Sequence, residues 1–182
     1  NLVSDAGDPP WWPVLREYAE AGCFDLQIGI DGCREAPVDL ATLTPVDHRR
    51  FNGLAPKRTV RCGFSGGMTR GTGETLPPGR GFRGDPRWGV LAPLKRRKLV
   101  VIRKRKSNRP YDDHVAFIRS CRILINTSFT GSGRAHHVKG RVMEAGWAGC
   151  ALLEPLESPA SAWLPADAFF RYRDSAHAAE LI

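Results

Sequence analysis

Ser120-Cys-Arg-Ile-Leu-Ile-Asn-Thr-Ser128 is followed by Val138-Lys-Gly-Arg-Val-Met-Glu-Ala-Gly-Trp-Ala-Gly-Cys-Ala-Leu-Leu-Glu154. The first stretch holds a short apolar run bounded by polar residues, the pattern of a strand buried on both faces. In the second, Val138, Val142, Ala145 and Ala148 recur at helical spacing. Cys150-Ala-Leu-Leu153 is again continuously apolar. Strand, helix and strand in succession make a βαβ unit, and its strands run parallel.

The same alternation continues outward. Leu99–Ile102 reads as a buried strand, and Asp112 or Asp113 caps a helix carrying Val115, Ala116, Phe117 and Ile118. Asp85-Pro86 starts a helix that Pro93 shortens or kinks. Thr59-Val-Arg-Cys62 is a strand running into Gly63-Phe-Ser-Gly-Gly67, and residues 69–84 are Gly-, Pro- and Arg-rich loop. Phe169–Tyr172 is a last strand, and Asp174 caps a last helix. The fold class is α/β, a Rossmann-like parallel sheet with helices on both faces.

Upstream, residues 12–21 read as a helix capped by Gly22, Phe24–Ile30 as a strand, and residues 33–57 as a connector. The expected organisation is therefore the end of a first domain and its linker over residues 1–56, and a second unit over residues 57–182. The chain starts at Asn1, and Leu181-Ile182 reads as a helix cut short, so a piece of a longer protein is expected.

The 182 residues are 42% hydrophobic and 25% charged, which is globular composition and disfavours disorder, collagen and coiled coil. No run approaches the ~20 apolar residues of a membrane span. The net charge of +8 is concentrated in residues 95–106, which hold eight basic side chains and no acidic one. That run contains no aromatic residue, and its centre reads as a buried strand, so it reads first as a solvated rim, next as an attraction for a polyphosphate or acidic acceptor, and last as a nucleic-acid face, the alternative in which the chain is a non-catalytic nucleotide or nucleic-acid binding module. The five cysteines include no CxxC pair, so a zinc site is not expected. Cys62, Cys121 and Cys150 sit beside apolar runs and read as small core hydrophobes in a reduced, cytoplasmic protein.

Three segments carry chemical signals. Gly79-Arg-Gly-Phe-Arg-Gly84 matches GxGxxG but follows two prolines instead of a strand, so the dinucleotide reading lacks its context. Gly63-Phe-Ser-Gly-Gly67 matches GxSxG, which would make Ser65 a hydrolase nucleophile if a helix followed at once. Loop formers follow instead, and Gly66 and Gly67 read as a turn letting backbone approach a ligand. The third is the helix opening near residue 138, approached by Ser132 and Gly133 and carrying Lys139 and Arg141. Free N–H groups and the helix dipole make such an opening an anion site, with phosphate the natural guest. Glu144, two turns in, is placed to accept hydrogen bonds from ribose hydroxyls. His136 and His137 read as loop or capping residues, or as contacts to a sugar or acceptor.

The ILIN strand followed by K-x-R-x-x-E-A, small residues and an apolar strand resembles the GT-B glycosyltransferases, in the donor-binding C-terminal domain of the glycosyltransferase family 1 type. The resemblance covers residues 58–182 and is vaguer over Trp11–Gly32. It implies a nucleotide-diphosphate sugar as donor, bound without an essential metal or other cofactor. The acceptor would be an unknown glycan, lipid or protein. Glu144 resembles the glutamate that contacts the ribose, Lys139 and Arg141 the basic residues near the diphosphate, and Gly66 and Gly67 the glycine loop. Many retaining members carry two glutamates eight positions apart, and here the partner position of Glu144 is His136. Retention or inversion thus stays open. The family's catalytic base lies in the N-terminal domain, so residues 1–182 alone are expected to be inactive or nearly so.

Overall fold

In the computed structural model the chain is described over residues 2–3, 6–51, 57–66, 86–104, 110–130 and 135–182. The elements of the first part are β1 (Leu2–Val3), α1 (Trp12–Glu20), β2 (Ile28–Gly29) and β3 (Leu40–Ala41). Then come β4 (Val60–Gly66), α2 (Pro86–Arg96), β5 (Val101–Lys104), α3 (Tyr111–Ser120) and β6 (Cys121–Ile125). The last are α4 (Gly140–Ala148), β7 (Ala151–Pro155), β8 (Phe170–Tyr172) and α5 (Ser175–Leu181). Strands β4 to β8 form one parallel sheet in the order β5-β4-β6-β7-β8, and β1-β2-β3 form a smaller parallel sheet. The α/β class and the parallel sheet expected from the alternation are both present.

Side-chain alternation along the strands sorts the larger sheet's core onto two faces. Leu124 and Leu152 face α3 and α4, packing with Val115, Phe117, Ile118, Val142 and Ala145. Their neighbours Ile125 and Leu153 face the opposite way with Cys62, Phe64 and Tyr172, under Leu91 and Leu94 of α2 and Ala178 of α5. Since Cys62 and Phe64 face α2, Gly63 and Ser65 face α3. A Cβ at Gly63 would lie 2.4 Å from Cys121 Sγ and 3.0 Å from Phe117 Cζ, so glycine there lets α3 approach β4. Opposite the site, at the other edge of the sheet, Arg58 Nη2 donates to Ala148 O at 2.6 Å, and its Nη1 donates to Cys121 O.

Helix ends follow local chemistry. Gly149 (φ 66) takes the left-handed position after α4, and Cys150 N donates to Ala145 O at 2.9 Å. Gly22 (φ 61) does the same for α1, as its sequence suggested. Asp174 caps α5, its Oδ1 accepting from His177 N at 2.8 Å. Pro93 lies inside α2 without ending it.

Some expectations need correction. The strand expected over Phe24–Ile30 is only Ile28–Gly29, and β3 arises inside the expected connector. Asp112 and Asp113 lie in the first turn of α3, whose N-cap is Pro110, so neither caps it. The expected cap Asp85 lies outside the described residues.

The two sheets meet at a buried polar junction. Asp31, 1% exposed, accepts from Gly7 N at 2.7 Å and from Cys33 N at 3.3 Å, and its Oδ2 lies 3.2 Å from His137 Nδ1. Val138 N donates to Asp31 O at 2.8 Å, and Trp163 Nε1 to Gly32 O at 2.8 Å. Burial pushes the Asp31 carboxyl above its usual range, partly offset by these backbone donors and by the charge of Lys139.

Candidate functional site

Chain direction reverses across β4. From β4 the chain goes to β5 on one side, then crosses back to β6 on the other. Connections leaving the carboxyl ends of two neighbouring strands in opposite directions open a crevice there, where open α/β sheets bind ligands. The residues that reach this edge are Ser65 and Gly66 ending β4, Asn126 to Ser128 following β6, and the first turns of α3 and α4.

A polar chain crosses the edge. Tyr111 and His114, three apart on α3, stand on one helix face. Tyr111 OH donates to Glu144 Oε1 at 2.8 Å, and His114 Nε2 lies 2.9 Å from Glu144 Oε2. His114 Nδ1 lies 3.0 Å from Ser65 Oγ. Ser65 is 2% exposed and Glu144 7%. Burial alone would raise the Glu144 carboxyl, but the hydrogen bonds from His114 and Tyr111 and the charge of Arg141 outweigh it and hold the group below its ordinary value. Burial and the adjoining carboxylate push the Tyr111 phenol upward. Glu144 is therefore an ionised acceptor that joins α3 to α4.

Beside it lies a second cluster. Glu154, fully buried, accepts from Asn126 Nδ2 at 2.7 Å and from Ser128 Oγ. Tyr172 OH donates to Asn126 O at 2.6 Å. Ser128 takes φ 52 to turn its hydroxyl inward, a left-handed conformation costing about 1 kcal/mol for a non-glycine residue. Arg141 Nη2 donates to Asn126 Oδ1 at 3.3 Å, and its guanidinium lies 5.3 Å from the Phe64 ring centroid. A Cβ on Gly66 would come within 2.9 Å of Arg141 Nη1. Glycine at this position thus admits a cation to the strand end, where the sequence suggested it admits a ligand.

Of the residues singled out in the sequence, Gly66, Arg141 and Glu144 converge here. Lys139 sits at the N-cap of α4, and its charge acts on Asp31. The opening of α4 is partly covered, since a Cβ on Gly140 would lie 3.2 Å from Thr44 Cγ2. His137 belongs to the junction with Asp31, and His136 stacks on Phe129 with centroids 4.4 Å apart. Gly67, Ser132 and Gly133 lie outside the described residues. Ser65 is inside β4, and among the described non-glycine residues only Lys98 and Ser128 have positive φ. The strained turn of a nucleophile elbow is thus not formed at Ser65. Tyr111, His114, Asn126, Ser128 and Glu154 were not singled out. The spacing of Tyr111 and His114 on the helical face that also buries Val115 and Ile118 was the available signal.

The described part of the basic run does not make one surface. Lys95 to Lys98 are exposed at the end of α2 and in the turn after it, while Arg103 lies inside β5 near its carboxyl end, 3.6 Å from Asp113. All five cysteines are free, and burial pushes the Cys62 and Cys121 thiols up to about 12, as expected of core thiols. Among the described residues no group of three or more His, Cys, Asp or Glu is arranged to hold a metal ion, and no helix is long and apolar enough to cross a membrane. No protein-family model matches the chain, and no curated protein and no solved structure matches it.

Proposed function

We propose that this chain binds a nucleotide-diphosphate sugar and supplies the donor side of a GT-B glycosyltransferase that needs no metal. The observation that carries the reading is the meeting of Gly66, Arg141 and the buried, ionised Glu144 at the sheet's switch point. Arg141 would balance the charge that grows on the leaving diphosphate, together with the opening of α4. Glu144 would accept from the ribose through lone pairs not used by Tyr111 and His114, since a carboxylate has about four acceptor sites. Lys139, whose charge acts on Asp31, is the weaker candidate for the diphosphate. The acceptor stays a glycan, lipid or protein.

Calorimetric titration of the full chain with uridine and guanosine diphosphates tests this. Arg141→Ala is expected to weaken the diphosphate about tenfold to a hundredfold, the worth of one charge-assisted hydrogen bond, and to leave the free nucleoside unchanged. Lys139→Ala should do the same more weakly. Failure of the wild-type chain to bind either diphosphate would remove the reading.

One observation favours a second reading. Ser65, His114 and Glu144 follow one another in the order of a hydrolase relay. The burial of Ser65 and its place inside a strand oppose it. A fluorophosphonate probe is expected to leave Ser65 unlabelled, and stoichiometric labelling that His114→Ala abolishes would reverse the preference.

A further inference from the structure

The carboxylate of Glu144 is held at both oxygens before any ligand arrives. Tyr111 OH takes Oε1 at 2.8 Å and His114 Nε2 takes Oε2 at 2.9 Å. Both holders come from one turn of α3, while Glu144 belongs to α4, so the carboxylate cannot rotate without breaking its hydrogen bonds to the neighbouring helix. The proton arrangement follows from the ionised state of Glu144. An acceptor-only carboxylate takes a proton from His114 Nε2 in a hydrogen bond. Nδ1 lies 3.0 Å from the Ser65 hydroxyl, which can serve it as donor or as acceptor. Ser65 is fixed in turn by the sheet, where its residue pairs with Arg103 of β5. A line of hydrogen bonds therefore runs from β4 through α3 to α4.

We propose that Tyr111 and His114 are positioning residues that fix the Glu144 carboxylate for a vicinal diol, with Ser65 holding the far nitrogen of the His114 ring. The inference rests on the nucleotide-sugar reading and names the part of the ligand involved, the ribose 2′,3′-diol. A carboxylate free to turn would have to be ordered when the diol binds, whereas a held one binds without that cost. A cis-diol offers two adjacent donors, which matches a planar acceptor whose oxygens keep lone pairs outside the two bonds already made.

The test compares uridine and guanosine diphosphates with their 2′,3′-dideoxy analogues on the full chain. For the ribonucleotide that the wild type binds, His114→Ala is expected to weaken affinity about fivefold to tenfold, the scale of ordering one long side chain. Affinity for the dideoxy analogue should be unchanged. His114→Gln, whose amide can donate to Glu144 and accept from Ser65, should recover most of the loss. Tyr111→Phe removes one donor without opening a large space and should give a loss of twofold to threefold, again confined to the ribonucleotide, on the same ordering argument. Equal weakening of both analogues would mean a purely structural role and would overturn the inference. So would unchanged binding of both. If neither ribonucleotide binds the wild type, the nucleotide-sugar reading itself fails, a result distinct from the other two.

Discussion

Glu154→Ala is expected to lower the stability of the protein by about 3–5 kcal/mol. The side chain is fully buried and takes the Asn126 amide and the Ser128 hydroxyl. Truncation strips the main acceptor from two buried donors, which keep only the longer contacts of Asn126 Nδ2 to Ser128 Oγ and of Ser128 Oγ to Ser158 Oγ, at up to about 1–3 kcal/mol each, beside a new cavity. For a domain of this size that is a fall in Tm on the order of 10 °C, read by calorimetry. Glu154→Gln keeps an amide oxygen for the Asn126 amide, while its NH2 can donate to the Ser128 hydroxyl as that hydroxyl turns its proton to Ser158, and it should cost far less. The pair of variants also reports protonation. Burial raises the Glu154 carboxyl above its ordinary value of 4.5, against the opposing hydrogen bonds from Ser128, Ser158 and Asn126. The native state thus holds its proton more tightly than the unfolded chain. The stability this provides is present below pH 4.5 and is lost as pH rises through the native pKa. Glutamine does not titrate, so the Tm of Glu154→Gln relative to wild type should climb as pH rises from 4.5 and then level off. A difference that stays flat with pH would show that Glu154 ionises as freely in the native state as in the unfolded one.

Asp31→Ala is the second large effect, expected at about 3–5 kcal/mol because it strips the acceptor from several buried donors, at about 1–3 kcal/mol each, and leaves a cavity. It leaves Gly7 N and His137 Nδ1 without the carboxylate that lies 2.7 and 3.2 Å from them. The loss should not be uniform. Residues 6–41 are tied to the larger sheet through Asp31, Gly32 and Arg34, whereas Leu43, Val46 and Phe51 pack in its core, so the amides of residues 6–41 should exchange faster with solvent than those of β4, β6 and β7. Equal acceleration over both sheets would mean that the two parts unfold only together.

Much of the larger sheet was legible because its strands are short apolar runs and its helices bury one face each. Ile123 to Ile125 and Leu152–Leu153 need no partner to be recognised, since continuous apolarity in a short run already means burial on both faces. The smaller sheet was not legible. Its strands are two residues long and owe their pairing to register with one another and to Asp31, neither of which leaves a periodic trace. At the candidate site, glycine and charge near a helix opening pointed to Gly66, Arg141 and Glu144. Their neighbours were hidden because no spacing rule links Ser65, His114 and Glu144, which come from three separate elements.

By itself the sequence determined the class of fold, the alternation of strands and helices in the second part, and a helix opening rich in basic groups, but not every boundary, since β4 runs on to Gly66 and β5 covers Val101–Lys104 where Leu99–Ile102 was expected. Those properties depend on residues within a few positions of one another, where propensity and periodicity act. Only the tertiary structure decided that Glu144 is clamped by Tyr111 and His114, that the charge of Lys139 acts on Asp31 while Arg141 lies against Gly66, and that the described part of the basic run is split between the two ends of the sheet. Each of these follows from which strands lie side by side and how far apart a strand holds its two ends, and hydrogen bonds at 3 Å between distant residues exist only once that order is set.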